Sequence, residues 1–293
     1  MRKVYIDKKL KGYVVPSEMR NTSKGENKVF TPGTRLPLEK DVKFVRLFTA
    51  WATKSGKVGD IDVDLGGAFI KEENGQLKMT PIAYYNQSER MAVHSGDFTS
   101  CRAYDPKDGK ITAEFIDVDL QKAKEMGYKY VLTAEFIYSR AKDYDDMQAW
   151  SGVQLLNELR TEKTQFINLN DNLFKVKLGG KYQSHAALAI DLETMEIVIM
   201  DQYSEERNGI NVNSMVNKMN EFKKLIFNAN DYSENMYDLL SMYCEANSDE
   251  FFVTEDIDSA DLICSYDDYK GLAANQTMFN ISNNLENIIG LLS

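Results

Sequence analysis

Residues 60–70 read Asp60-Ile61-Asp62-Val63-Asp64-Leu65-Gly66-Gly67-Ala68-Phe69-Ile70. Aspartate alternates with branched aliphatic residues over the first six positions, and side chains on a strand alternate between its two faces. The pattern therefore predicts a strand with Ile61, Val63 and Leu65 buried and Asp60, Asp62 and Asp64 together on the opposite side, about 7 Å apart. Neighbouring carboxylates at that spacing repel by ~0.6 kcal/mol in water and by ~2.4 kcal/mol at an effective dielectric near 20. A hard cation would relieve this repulsion on any partly shielded face. Calcium suits such a cluster, because it takes six to eight oxygen ligands at loosely defined angles and accepts carbonyls and water beside carboxylates. A solvated sheet face, or aspartates that cap turns, is the other reading of the same spacing. Downstream, Asp117-Val118-Asp119 repeats the i, i+2 arrangement, and Asp97 lies in His94-Ser95-Gly96-Asp97. None of these acids fits the twelve-residue EF-hand loop.

Working outward, strand-like runs bounded by turn residues continue on both sides: Val42 to Trp51, Ile82 to Asn86, Thr112 to Leu120, Lys129 to Ser139 and Leu173 to Leu178. A pair, Ala186 to Leu192 and Glu196 to Gln202, flanks Glu193-Thr194-Met195 and reads as a hairpin. A short helix is expected at Leu120 to Met126. This succession favours an antiparallel β-sandwich over residues 36–203 rather than a parallel α/β sheet. Residues 1–35 read as an N-terminal arm packing on the sandwich.

After residue 203 the period changes. Val212, Met215, Val216, Met219, Phe222, Leu225 and Ile226 recur at three and four, as on one face of a helix. Tyr232, Met236, Leu239, Leu240 and Tyr243 repeat this pattern, and Met278 to Leu292 reads as a last helix. Phe251-Phe252-Val253 and Asp261 to Ser265 read as short strands. Residues 204–293 are thus expected to be a mostly helical region. It is also acidic: residues 201–293 hold 17 acidic and 5 basic side chains, whereas the whole chain carries a net charge of -10. All five prolines fall within the first 106 residues, which again sets the two regions apart.

Composition excludes several functions. The acidic balance repels phosphate backbones, so nucleic acid is not an expected partner. No run approaches the ~20 apolar residues of a membrane-spanning helix, and the basic N-terminus lacks the apolar segment of a secretory signal, so a cytoplasmic protein is expected. Three widely spaced cysteines, Cys101, Cys244 and Cys264, offer neither a disulfide framework nor a paired zinc pattern.

The motifs in their order resemble the TerD family of bacterial stress-response and tellurium-resistance proteins. DIDVDLGGAFI at 60–70, IAYYNQ at 82–87, AVHSGDFTS at 92–100, AEFIDVDL at 113–120 and YKYVLTAEFIYS at 128–139 carry the resemblance. GYVVPSEMR at 12–20, TRLPL at 34–38, VRLFTAW at 45–51 and AIDLETMEIVIMD at 189–201 look like a TerD-related branch found in larger bacterial proteins, some linked to RING-type zinc domains. The resemblance spans about residues 12–203. It implies a β-sandwich that binds calcium through acidic loops, has no catalytic residues and acts through protein partners. Asp60, Asp62 and Asp64 match the family's DxD strand and Asp97 its GD loop; Asp117 and Asp119 complete the candidate metal ligands. One departure stands out: calcium-binding members continue the GD loop with Asn and a run of Gly, Asp and Glu, whereas this chain has Asp97-Phe98-Thr99-Ser100-Cys101-Arg102. The cysteine set of a RING domain is absent. A metal-independent scaffold, with the aspartates as a wet surface, is therefore the alternative function.

An enzyme would have to begin from His94, Asp97 and Cys101. Sequence neighbours on one loop seldom reach the nucleophile, base and orienting-group geometry that catalysis needs, so no enzyme is expected. The paired glycines, Gly66-Gly67 and Gly179-Gly180, complete no phosphate-binding pattern.

Overall fold

The computed structural model describes residues 1–14, 32–39, 41–54, 59–74, 76–83, 91–101, 104–105, 107, 109–139, 141–159, 166–171, 173–204, 235–266, 269 and 271–280. The protein is mainly β and divides into two units, residues 37–226 and residues 1–36 with 227–293. β1 (Arg2–Ile6) belongs to the second of these, and a short strand, β2 (Arg35–Pro37), includes the residues at which the chain passes to the first.

The larger unit is built from two antiparallel sheets. In the first, β6 (Ala92–His94) and β10 (Phe166–Asn168) both pair with β7 (Lys110–Asp119), which is followed by β3 (Phe44–Thr53), β9 (Met147–Leu156) and β11 (Phe174–Leu178). In the second, β13 (Glu196–Ser204), β12 (Ser184–Asp191), β8 (Tyr130–Ser139), β4 (Asp62–Glu73) and β5 (Gln76–Ile82) lie side by side. Ile61, Val63 and Ile137 of the second sheet and its approach meet Trp51, Met147, Ala149 and Leu178 of the first in one buried cluster. The face predicted as apolar from 60–70 is therefore the core face. At Gly67 there is no room for a side chain: a Cβ there would lie 2.9 Å from both Ile116 Cδ1 of the facing sheet and the Leu132 carbonyl of the neighbouring strand.

Local chemistry fixes the connections as expected. Asp191 accepts hydrogen bonds from the Glu193 and Thr194 amides, and Met195 takes φ +57, closing the β12–β13 hairpin at the anticipated turn. Asp119 caps α1 (Leu120–Glu125) by accepting from the Lys122 amide.

The smaller unit departs from expectation. Its sheet is parallel throughout, in the order β14 (Phe251–Thr254), β1 (Arg2–Ile6), β15 (Leu262–Ser265), β16 (Thr277–Asn280). The helix α2 (Met236–Ala246) packs on β1 and β14. Val4, Ile6, Leu240, Cys244, Phe251, Leu262 and Cys264 are buried there. Residues read from sequence as an arm thus supply an interior strand, hydrogen-bonded on both sides. The helix expected from Met278 begins instead as strand β16, because Met278 and Phe279 extend the ladder beside Ile263 and Cys264. The described part of the region holds one α-helix and three strands, not mostly helix; the helix read over Val212 to Ile226 lies outside the described residues.

Candidate cation site

Three of the six predicted acids converge. Oxygens of Asp62, Asp64 and Asp97 all lie within 4.8 Å of one another. Asp62 and Asp64 come from the start of β4, where the pairing with β8 shifts by one residue between Asp62 and Val63. Asp97 arrives on the segment after β6, whose residues 95–101 are fastened on either side of it. At one end the Ser95 amide donates to the Phe115 carbonyl at 2.9 Å, and Ser95 Oγ accepts from the Phe115 amide at 3.0 Å. At the other, Gly59 and Cys101 exchange two backbone hydrogen bonds of 3.0 and 2.8 Å.

The electrostatics are unfavourable as they stand. Asp62 is 3% exposed, and its Oδ1 has no hydrogen-bond partner among the described residues. Burial, with Asp97 adding repulsion, pushes its carboxyl up to about 6. Burial again, then Asp62 and Asp97, pushes Asp64 up to about 7. A divalent ion between these oxygens would reverse both shifts by favouring the charged forms.

The other predicted ligands are placed elsewhere. Asp60 is exposed and stands outside the group. Asp117 is fully buried and receives Arg46 through two hydrogen bonds, 2.7 Å from Nε and 2.8 Å from Nη2, while the guanidinium lies 3.5 Å from the Phe115 ring centroid. Asp119 is occupied as the α1 cap. The i, i+2 spacing of Asp117 and Asp119 therefore reflects a buried ion pair and a helix start, and these two acids join no metal cluster among the described residues.

Beside the three aspartates lie two buried groups that the sequence reading did not include as ligands or supports. Glu114 Oε2 accepts from the Leu65 amide at 2.8 Å and Oε1 from the Phe98 amide at 3.0 Å. Burial moves its carboxyl well above the usual range; the Leu65 and Phe98 amides pull it down, and Asp64 and Asp97 push it further up. His94 bridges the Leu65 carbonyl, 2.8 Å from Nε2, and the Gly96 amide, which donates to Nδ1 at 3.1 Å. Since a backbone N–H can only donate, Nδ1 accepts and Nε2 carries the proton. Glu114 carries a sequence signal after all: in AEFIDVDL it shares strand parity with Ile116 and Val118, a charged residue on an apolar face.

A second buried polar cluster sits on β8, β12 and β13. His185 Nδ1 lies 2.8 Å from Glu135 Oε1 and Nε2 lies 3.2 Å from Asp201 Oδ1, with the imidazole stacked on Tyr203 at 4.0 Å. Burial works to lower its pKa, but the bonds to Asp201 and Glu135 prevail and raise it to about 9. Asp201 holds φ +46, a conformation costly for a residue with a Cβ. Cys101, by contrast, is a buried thiol that burial moves upward, away from the thiolate a nucleophile requires.

Compared with models of known protein families and with curated proteins, the chain finds no match. Among the described residues, no helix is long and apolar enough to cross a membrane.

Proposed function

We propose that this chain is a TerD-like, non-enzymatic protein of bacterial stress response, of the tellurium-resistance type, which binds calcium at Asp62, Asp64 and Asp97 and acts in the cytoplasm through protein partners. The observation that carries the reading is the Asp62 carboxylate, buried beside two other acids with one oxygen unpartnered among the described residues. A buried charge is retained when something pairs with it, and the available pair here is a cation from solution. Calcium suits the span. Oxygens bound to one calcium at ~2.4 Å lie up to ~4.8 Å apart, so three carboxylates within that span of one another are close enough to share one ion after a small adjustment of their side chains. Backbone carbonyls and water would complete the shell.

The test is a thermal and calorimetric titration of chelator-treated protein with calcium chloride. Binding is expected, with a gain of ~2.7 kcal/mol in stability when free calcium reaches 100 times its dissociation constant. Asp64→Asn should remove the gain. Absence of heat and of any thermal shift at millimolar calcium would overturn the reading in favour of a metal-independent β-sandwich scaffold.

A further inference from the structure

Each strand or loop that delivers an aspartate is tethered at the adjacent residue to the same two side chains. Glu114 takes the amide of Leu65, which follows Asp64, with one oxygen, and the amide of Phe98, which follows Asp97, with the other. His94 takes the Leu65 carbonyl with one ring nitrogen and the amide of Gly96, which precedes Asp97, with the other. Both backbone groups of Leu65 are thereby held on the side away from β8, at a point that pairing with β5, which begins at Gly67, does not reach. The tethers themselves cannot wander. Glu114 and His94 are both fully buried, and Glu114 stands on β7 opposite Thr49 of β3.

We propose that Glu114 and His94 are positioning residues that fix the separation of Asp64 from Asp97 and thereby make the site prefer calcium to magnesium. This inference rests on the calcium reading above. A carboxylate is the group for the task, since it accepts two amides at once and offers no donor to oppose them. Neutral His94 does the complementary work, accepting on one side and donating on the other. Magnesium demands a shell at 2.0–2.1 Å, about 0.4 Å tighter than calcium, so a frame that stops the carboxylates from closing inward selects against it. A loosened frame would let the three oxygens follow either ion.

The experiment titrates calcium chloride and, separately, magnesium chloride into wild-type protein and three variants. In Glu114→Gln one of the two amides meets an NH₂ in place of an oxygen; His94→Leu loses both tethers; His94→Gln can keep a donor near the Leu65 carbonyl. Glu114→Gln and His94→Leu are each expected to weaken calcium binding by about tenfold or more, the range seen when supports behind metal ligands are removed. The calcium-to-magnesium affinity ratio should fall in both variants, with partial recovery in His94→Gln. A purely structural role would lower the melting temperature and leave that ratio unchanged. Wild-type affinity and ratio in both disrupted variants would overturn the positioning role while leaving the calcium site standing. No uptake of calcium by the wild type would instead overturn the site and this role with it. If Glu114→Gln fails to fold, the comparison of His94→Leu with His94→Gln decides the matter alone.

Discussion

Asp117 and Asp62 lie on neighbouring parts of one sandwich, and both are withdrawn from water, yet they are treated in opposite ways. Asp117 is met by a guanidinium that satisfies both its oxygens and is itself braced over an aromatic ring. Asp62 is met by two more acids. Between these extremes stands His185, whose single imidazole is shared by Glu135 and Asp201. The contrast teaches how to separate a structural acid from a candidate ligand: the structural one has its counter-charge inside the chain, and the candidate has acids around it and no counter-charge among the described residues.

That comparison is broken most severely by removing the guanidinium. Arg46→Met should leave Asp117 buried and uncompensated, at a cost of ~3–5 kcal/mol in denaturant unfolding, while the double variant Arg46→Met, Asp117→Leu should recover most of the loss. If the single variant is as stable as wild type, the pair is not the internal counter-charge described here.

Next in size is the imidazole. A group whose folded pKa is raised contributes stability that is fully present below its unfolded value, near 6.5, and is lost as pH climbs through its folded value, here about 9. Unfolding free energy should therefore decline by up to ~3 kcal/mol between pH 6.5 and 9.5. Replacement by His185→Gln should flatten this slope, and an unchanged slope would show that another group titrates.

The smallest effect has the opposite sign. In chelator-treated protein at pH 7.5, Asp62→Asn should be neutral or stabilising by ~1 kcal/mol, because the charged carboxylate is disfavoured above pH 6 when nothing balances it. A clear destabilisation would mean that Asp62 already has a favourable role without a cation.

The sandwich was legible because most of its strands are apolar runs bounded by turn residues, and in one of them Ile61, Val63 and Leu65 announce their face through period two. Alternation put Asp62 and Asp64 on one face but added Asp60, which stands outside the group, and Asp97 was joined to them through the resemblance of its loop rather than by any spacing. Asp117 and Asp119 misled, since one partner, Arg46, lies 71 residues away in sequence and the other is the first turn of a helix. Glu114 could have been found by asking why an acid occupies an apolar parity, and Glu135 answers to the same question in YVLTAEFIYS. The parallel pairing was not legible, although β14 and β15 answer to the runs read at 251–253 and 261–265. Its strands have four or five residues, too few to show a period, and β1 is paired with segments from the far end of the chain.

That last pairing orders events at the ribosome. β1 is synthesised ahead of partners that lie roughly 250 residues later, a delay on the order of 10–50 s at ordinary elongation speeds of ~5–20 residues per second. Through that interval the whole sandwich emerges and can close, while β1 waits for its neighbours to be made.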